Sequence, residues 1–144
     1  MRTMRYLMAA AGLALAASSL ASCSSKNSTN AELKVAENEF SVDASRATAV
    51  AGRVRVTVRN DGKVVHELVA FRTDLDEGSL PLTSQGDRID EQATGVTHID
   101  PEAEDIGPGK SKTITMELPA GRYVFVCNLA GHYGQGMHTV ITTK

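Results

Sequence analysis

Val54, Val56 and Val58 alternate with Arg53, Arg55, Thr57 and Arg59. A period of two sends one set of side chains to a buried face and the other to water, which is the pattern of an extended strand. Ile114, Met116 and Leu118 alternate with Thr113, Thr115 and Glu117 in the same way. The apolar runs at 64–71 and 123–127 are denser, as expected of more central strands. Residues 139–142 read as a last strand, and 33–35 and 39–42 as the first one or two. Asn60-Asp61-Gly62, Gly107-Pro108-Gly109 and Pro119-Ala120-Gly121 supply the positive-φ and fixed-φ positions that turns require. Many short strands with such turns predict an all-β chain folded as a β-sandwich.

Between Asp74 and Asp105 the alternation fails. The stretch reads as a long loop or flap between the middle strands, with room for one short helical turn at 88–93. Asp87, Asp90, Glu91, Asp100, Glu102, Glu104 and Asp105 face only Arg88 within it. Such a flap either steers a basic partner or is simply a solvated loop.

The N-terminus is of a different kind. Arg2 and Arg5 precede an uncharged apolar run at 6–17, too short for a membrane span of about 20 apolar residues and suited to a secretory signal. Leu20-Ala21-Ser22-Cys23 resembles a bacterial lipobox, whose cysteine is lipidated and becomes the first mature residue. The expected organisation is a lipoprotein signal peptide at 1–22, a polar tether at 23–30 beginning with lipidated Cys23, and one domain at 31–144. The chain is then exported and lipid-anchored, facing the periplasm or the cell exterior. Losing Arg2 and Arg5 leaves 13 basic residues against 17 acidic ones, a net charge of −4. That balance gives no case for nucleic-acid binding.

The chemistry lies near the C-terminus. Cys127, His132 and Met137 form a C-x4-H-x4-M pattern interrupted by Gly131, Gly134 and Gly136. Glycines let a loop curl, so a thiolate, an imidazole and a thioether can converge. A second imidazole completes two histidines and a thiolate in a plane with a weak axial methionine, the donor set of a blue-copper electron-transfer site. His66, far upstream in its own strand, is the candidate. Taken singly, each residue has a plain structural reading as core filler or a packed histidine. Those readings leave their concentration in one glycine-rich loop unexplained.

This loop resembles that of the small blue-copper proteins, the cupredoxins, and its spacing is most similar to the rusticyanin, auracyanin and sulfocyanin branch. Residues 60–69 are similar to the strand that carries the upstream histidine of that family. The resemblance covers nearly all of 33–144. It implies a Greek-key sandwich with one Cu(I)/Cu(II) ion near one end, and one-electron transfer as the activity. His66 and Cys127 match the first histidine and the thiolate, His132 the exposed histidine, and Met137 the axial ligand. Many relatives carry Asn or Ser after the first histidine, where this chain has Glu67, so the hydrogen bonding around the site is left open.

Other readings stay open on the residues alone. Cys23 and Cys127 could pair as a disulfide. Zinc could take Cys127, His66 and His132, although Met is a poor fourth partner for it. Copper storage, delivery or scavenging is the alternative to electron transfer. Four protein ligands leave no position for substrate, so no enzyme is expected. Expected partners are membrane-bound or soluble redox proteins docking near His132, on a patch of Leu129, Ala130, Tyr133 and Gly134. His98 and His138 are expected outside the site.

Overall fold

The computed structural model describes residues 31–144. The segments expected to be a signal peptide and a tether beginning at a lipidated Cys23 lie outside the described residues. The order of strands is β1 (Ala31–Asn38), β2 (Ser41–Ala44), β3 (Thr48–Ala49), β4 (Gly52–Asn60), β5 (His66–Arg72), β6 (Thr97–Ile106), β7 (Ser111–Leu118), β8 (Gly121–Val126) and β9 (His138–Thr143). They form a Greek-key sandwich of a four-stranded sheet, ordered β2-β1-β4-β7, and a five-stranded sheet, ordered β3-β9-β8-β5-β6. Among the described residues no helix is long and apolar enough to cross a membrane.

Period two builds the core. Leu33 and Val35 of β1, Val54, Val56 and Val58 of β4, and Met116 and Leu118 of β7 point inward from the first sheet. Leu68, Ala70, Tyr123, Phe125 and Ile141 meet them from the second. Each fully buried aliphatic side chain contributes about 1.5–3 kcal/mol over leaving it in water.

The flap explains why β5 and β8 read as continuous apolar runs. Their outward residues Val69, Phe71, Val124 and Val126 are covered by Leu80, Ile89 and Tyr133 in a second apolar cluster. Both faces of these strands are therefore dry, and alternation disappears from the sequence.

Four local expectations need correction. Residues 97–106 are not loop but the edge strand β6, which pairs with β5 through two register shifts. Its charges and Pro101 hide the strand from sequence patterning, yet suit an edge that must not pair further. The short helical turn expected at 88–93 is instead an isolated bridge between Leu82 and Ile89 followed by a turn closed by Ala93 N–H to Asp90 O. Glu39 and Phe40 form the β1–β2 turn rather than strand. Val64 and Val65 precede β5 and are exposed.

Candidate metal centre

The pairing of β5 with β8 brings the first two candidate residues together. Val69 faces Val126, so His66 at the start of β5 and Cys127 just past the end of β8 lie at one end of the sandwich. Period two decides which way they point. His66 shares the inward side of β5 with Leu68 and Ala70, and Cys127 shares the inward side of β8 with Tyr123 and Phe125.

The loop from 128 to 137 returns His132 and Met137 to the same place. Gly131 and Gly136 take φ of 80° and 110°, values that favour glycine, and flank a 3₁₀ turn at Tyr133–Gln135. The loop closes on itself through Cys127 N–H to Met137 O at 3.1 Å and Met137 N–H to His132 O at 3.3 Å. Met137 is fully buried in the same apolar cluster as Cys127.

Cys127 Sγ lies 3.3 Å from His132 Nδ1 and 3.8 Å from His66 Nδ1, and the two Nδ1 atoms are 3.3 Å apart. The centre of that triangle is about 2 Å from each corner, the length of a metal–imidazole bond. Three donors that share one ion-sized space fit a metal without rearrangement. Among the described His, Cys, Asp and Glu residues this is the one group of three or more close enough to hold a metal ion.

Burial pushes the Cys127 thiol up to about 12, against the pull of hydrogen bonds from the Leu129 and Glu67 amides. The metal-free thiol keeps its proton, and a bound metal ion takes that proton's place. The Glu67 amide answers the question its side chain raised. Its pull on the sulfur comes from the backbone N–H and not from the side chain. The Glu67 carboxyl turns elsewhere, into a cleft with Arg88, Glu91, Glu102 and Glu104, and burial raises it to about 7. Desolvation and the neighbouring His66 lower the pKa of His132, which favours the neutral, ligating imidazole.

Two residues missed in the sequence bear directly on the histidines. Glu39 Oε1 lies 3.0 Å from His66 Nε2, and also accepts hydrogen bonds from Lys63 N–H at 2.7 Å and Val64 N–H at 3.0 Å. These amides, Val64 first, hold the Glu39 carboxyl below its ordinary value. The Phe40 ring meets the His132 ring edge-on at 5.7 Å. Both belong to a turn 26 or more residues upstream of either histidine, so no local pattern announces them. Asn60 is fully buried and shapes the loop before His66, its amide donating to Val64 O and Ile106 O, both at 2.7 Å.

One residue of the apolar patch expected around His132 needs correction, while Ala130 and Gly134 are exposed and Leu129 is half-buried. Tyr133 is buried, not displayed. Its hydroxyl accepts from Leu80 N–H at 2.9 Å and donates to Glu77 O at 2.8 Å, anchoring the flap. Phe40, Val64 and Val65 are the exposed large apolar residues at this end. His138 packs against Tyr133 and approaches Glu77, and His98 packs against Phe71, so both stand apart from the cluster as expected.

Residues 21–144 match the family of copper binding proteins described as plastocyanin/azurin. The chain belongs to that family. Copper is its cofactor, and a thiolate with two imidazoles suits copper. Among curated proteins it is similar to the copper-resistant cuproprotein CopI of Pseudomonas aeruginosa, at 25% identity. That likeness covers 63% of this chain and spans 63% of the length of that relative. Among solved structures, it is similar to the dithionite-reduced auracyanin of the photosynthetic bacterium Roseiflexus castenholzii. That match has 26% identity and a TM-score of 0.58 over 78% of this chain and 96% of that one. A rusticyanin matches at 20% identity and a TM-score of 0.54 over 78% of this chain and 76% of that one. An azurin of Methylomonas sp. strain J matches at 14% identity and a TM-score of 0.50, over 78% and 97% respectively. The last two speak for the shared cupredoxin fold alone.

Proposed function

We propose that this cupredoxin is a type 1 blue-copper protein that passes single electrons between redox partners outside the cytoplasmic membrane, and that it is not an enzyme. The observation that carries the reading is the triangle of Cys127 Sγ, His66 Nδ1 and His132 Nδ1. In this reading those three residues would hold the ion, and Met137 would add a weaker thioether donor. Copper supplies the one-electron Cu(II)/Cu(I) couple. The protein's part is to keep the donors still. The His66 backbone is locked in a paired strand, Cys127 directly follows one and is tied by its N–H to Met137 O, and the His132–Met137 loop is tied by its own hydrogen bonds and by the flap. A rigid donor set changes little with the charge of the ion, which keeps the cost of reorganisation low.

Electrons would leave through His132, the one imidazole of the pair that is not fully buried. Phe40, Val64 and Val65 offer a partner an apolar surface at that end. The acidic cleft of Glu67, Glu91, Glu102 and Glu104 reaches Asn128 in the ligand loop, and its charge suits a basic partner. A signal peptide would export the chain, and a lipid on Cys23 would then hold the copper at a membrane surface, within reach of membrane-bound redox proteins.

The likeness to a copper-resistant cuproprotein favours a second reading, in which the chain stores, delivers or scavenges copper. An absorption and EPR spectrum of the copper-loaded protein separates the two. Electron transfer requires an intense visible copper–thiolate band, a small copper hyperfine splitting and tightly held metal. A colourless protein with a tetragonal Cu(II) signal that gives its copper to an acceptor would overturn the blue-copper reading.

A further inference from the structure

We infer that Glu39 is the positioning residue of this copper centre: its carboxylate fixes His66 with Nδ1 turned to the metal, and its charge favours Cu(II) over Cu(I). The inference rests on the blue-copper reading above and deepens it.

His66 is fully buried, so its ring orientation is set by what its two nitrogens meet. Nδ1 faces Cys127 and His132. Nε2 faces Glu39 Oε1 at 3.0 Å. An ionised carboxylate only accepts hydrogen bonds. Nε2 must then carry the proton, which leaves the Nδ1 lone pair free for the metal. The partner of a ligating histidine sets its tautomer and its basicity in this way.

The surrounding loop is cut to receive that carboxylate. Lys63 and Val64 turn their amides onto the same oxygen. Asn60 Oδ1 holds the Gly62 amide at 2.8 Å. A Cβ at Gly62 would collide with the Glu39 carboxyl group, its Cδ lying 2.8 Å away. Three consecutive residues, Gly62 to Val64, thus wrap one side chain from the β1–β2 turn, and the same segment carries the chain into His66.

The charge adds a redox consequence. The oxidised centre holds one more positive charge than the reduced one. A carboxylate bonded to a ligand of the metal stabilises the oxidised form and lowers the reduction potential. Removing the charge while keeping the hydrogen bond must raise it.

The test compares the full chain with Glu39→Gln and Glu39→Ala. Two readouts are taken: redox titration of the copper-loaded protein, and 15N NMR of His66 in the metal-free protein. Gln still accepts from Nε2–H. It is expected to bind one copper and keep the Nε2–H tautomer, while its Cu(II)-over-Cu(I) preference falls roughly tenfold, which is about 59 mV upward for one electron. Ala is expected to lose the single tautomer and weaken Cu(II) binding further. A wild-type potential in Glu39→Gln would overturn the electrostatic role, since a merely structural contact predicts that result. An unchanged His66 tautomer in Glu39→Ala would overturn the positioning role. If the wild type lacks the copper–thiolate band, the blue-copper reading fails instead, and the metal-free NMR comparison still decides the Glu39–His66 contact.

Discussion

Cys127 Sγ and His66 Nδ1 lie 3.8 Å apart although 61 residues separate them in the chain. The antiparallel pairing of β5 and β8 makes that contact, and period two turns both side chains to the same inner face. The contact gives the first prediction. Cys127→Ala removes the thiolate from an otherwise intact triangle, so the intense visible band is lost while the fold survives at a cost of about 1 kcal/mol. Absorption and thermal unfolding measure both, and a variant that keeps the band would remove Cys127 from the ligand set.

Met137 occupies the end of the ligand loop and is buried in the core beside Cys127. A thioether favours soft Cu(I), whereas an amide oxygen favours Cu(II). Met137→Gln is expected to retain copper and lower the potential by a roughly tenfold change in the Cu(II)/Cu(I) preference, about 59 mV. A redox titration that finds the potential unchanged or raised would argue against Met137 as a donor to the copper.

Tyr133 ties the ligand loop to the flap through two hydrogen bonds of one hydroxyl. Tyr133→Phe leaves the ring packed on the second cluster but strips Leu80 N–H and Glu77 O of their partner. The expected loss is about 2 kcal/mol, with faster amide exchange at 77–91. Exchange that quickens only at distant strands would contradict the anchoring role.

Glu37 continues the inward stripe of Leu33 and Val35, yet it is a carboxylic acid. Neither of its oxygens has a hydrogen-bond partner among the described residues. Burial, with Glu67 nearby, pushes its pKa up from 4.5 to about 8. Below pH 4.5 both folded and unfolded chains hold the proton and the group is neutral in its effect. From 4.5 to 8 only the unfolded chain releases it, so stability falls as pH rises, by about 1.4 kcal/mol per unit and roughly 5 kcal/mol at most. Glu67, raised to about 7, slopes the same way. In the metal-free chain, Glu37→Leu is therefore expected to gain stability over wild type as pH climbs through this window. Denaturant melts at pH 5 and pH 8 that show the same difference would sink the assignment.

The sequence by itself determined the elements that rest on near neighbours. Alternation at 54–58 and 114–118 marked β4 and β7, because a strand with one wet face writes its period into adjacent residues. The spacing of Cys127, His132 and Met137 marked the ligand loop, because ten consecutive peptide links limit what one loop can gather. His66 was legible through its strand context and a family resemblance. Tertiary structure alone decided the rest. It made an edge strand of the acidic segment at 97–106, because β5 supplied the hydrogen bonds that its own composition does not advertise. It buried Tyr133 beneath the flap. It also carried Glu39 to the far nitrogen of His66, a contact between a turn and a strand that exists only once two sheets have closed on each other.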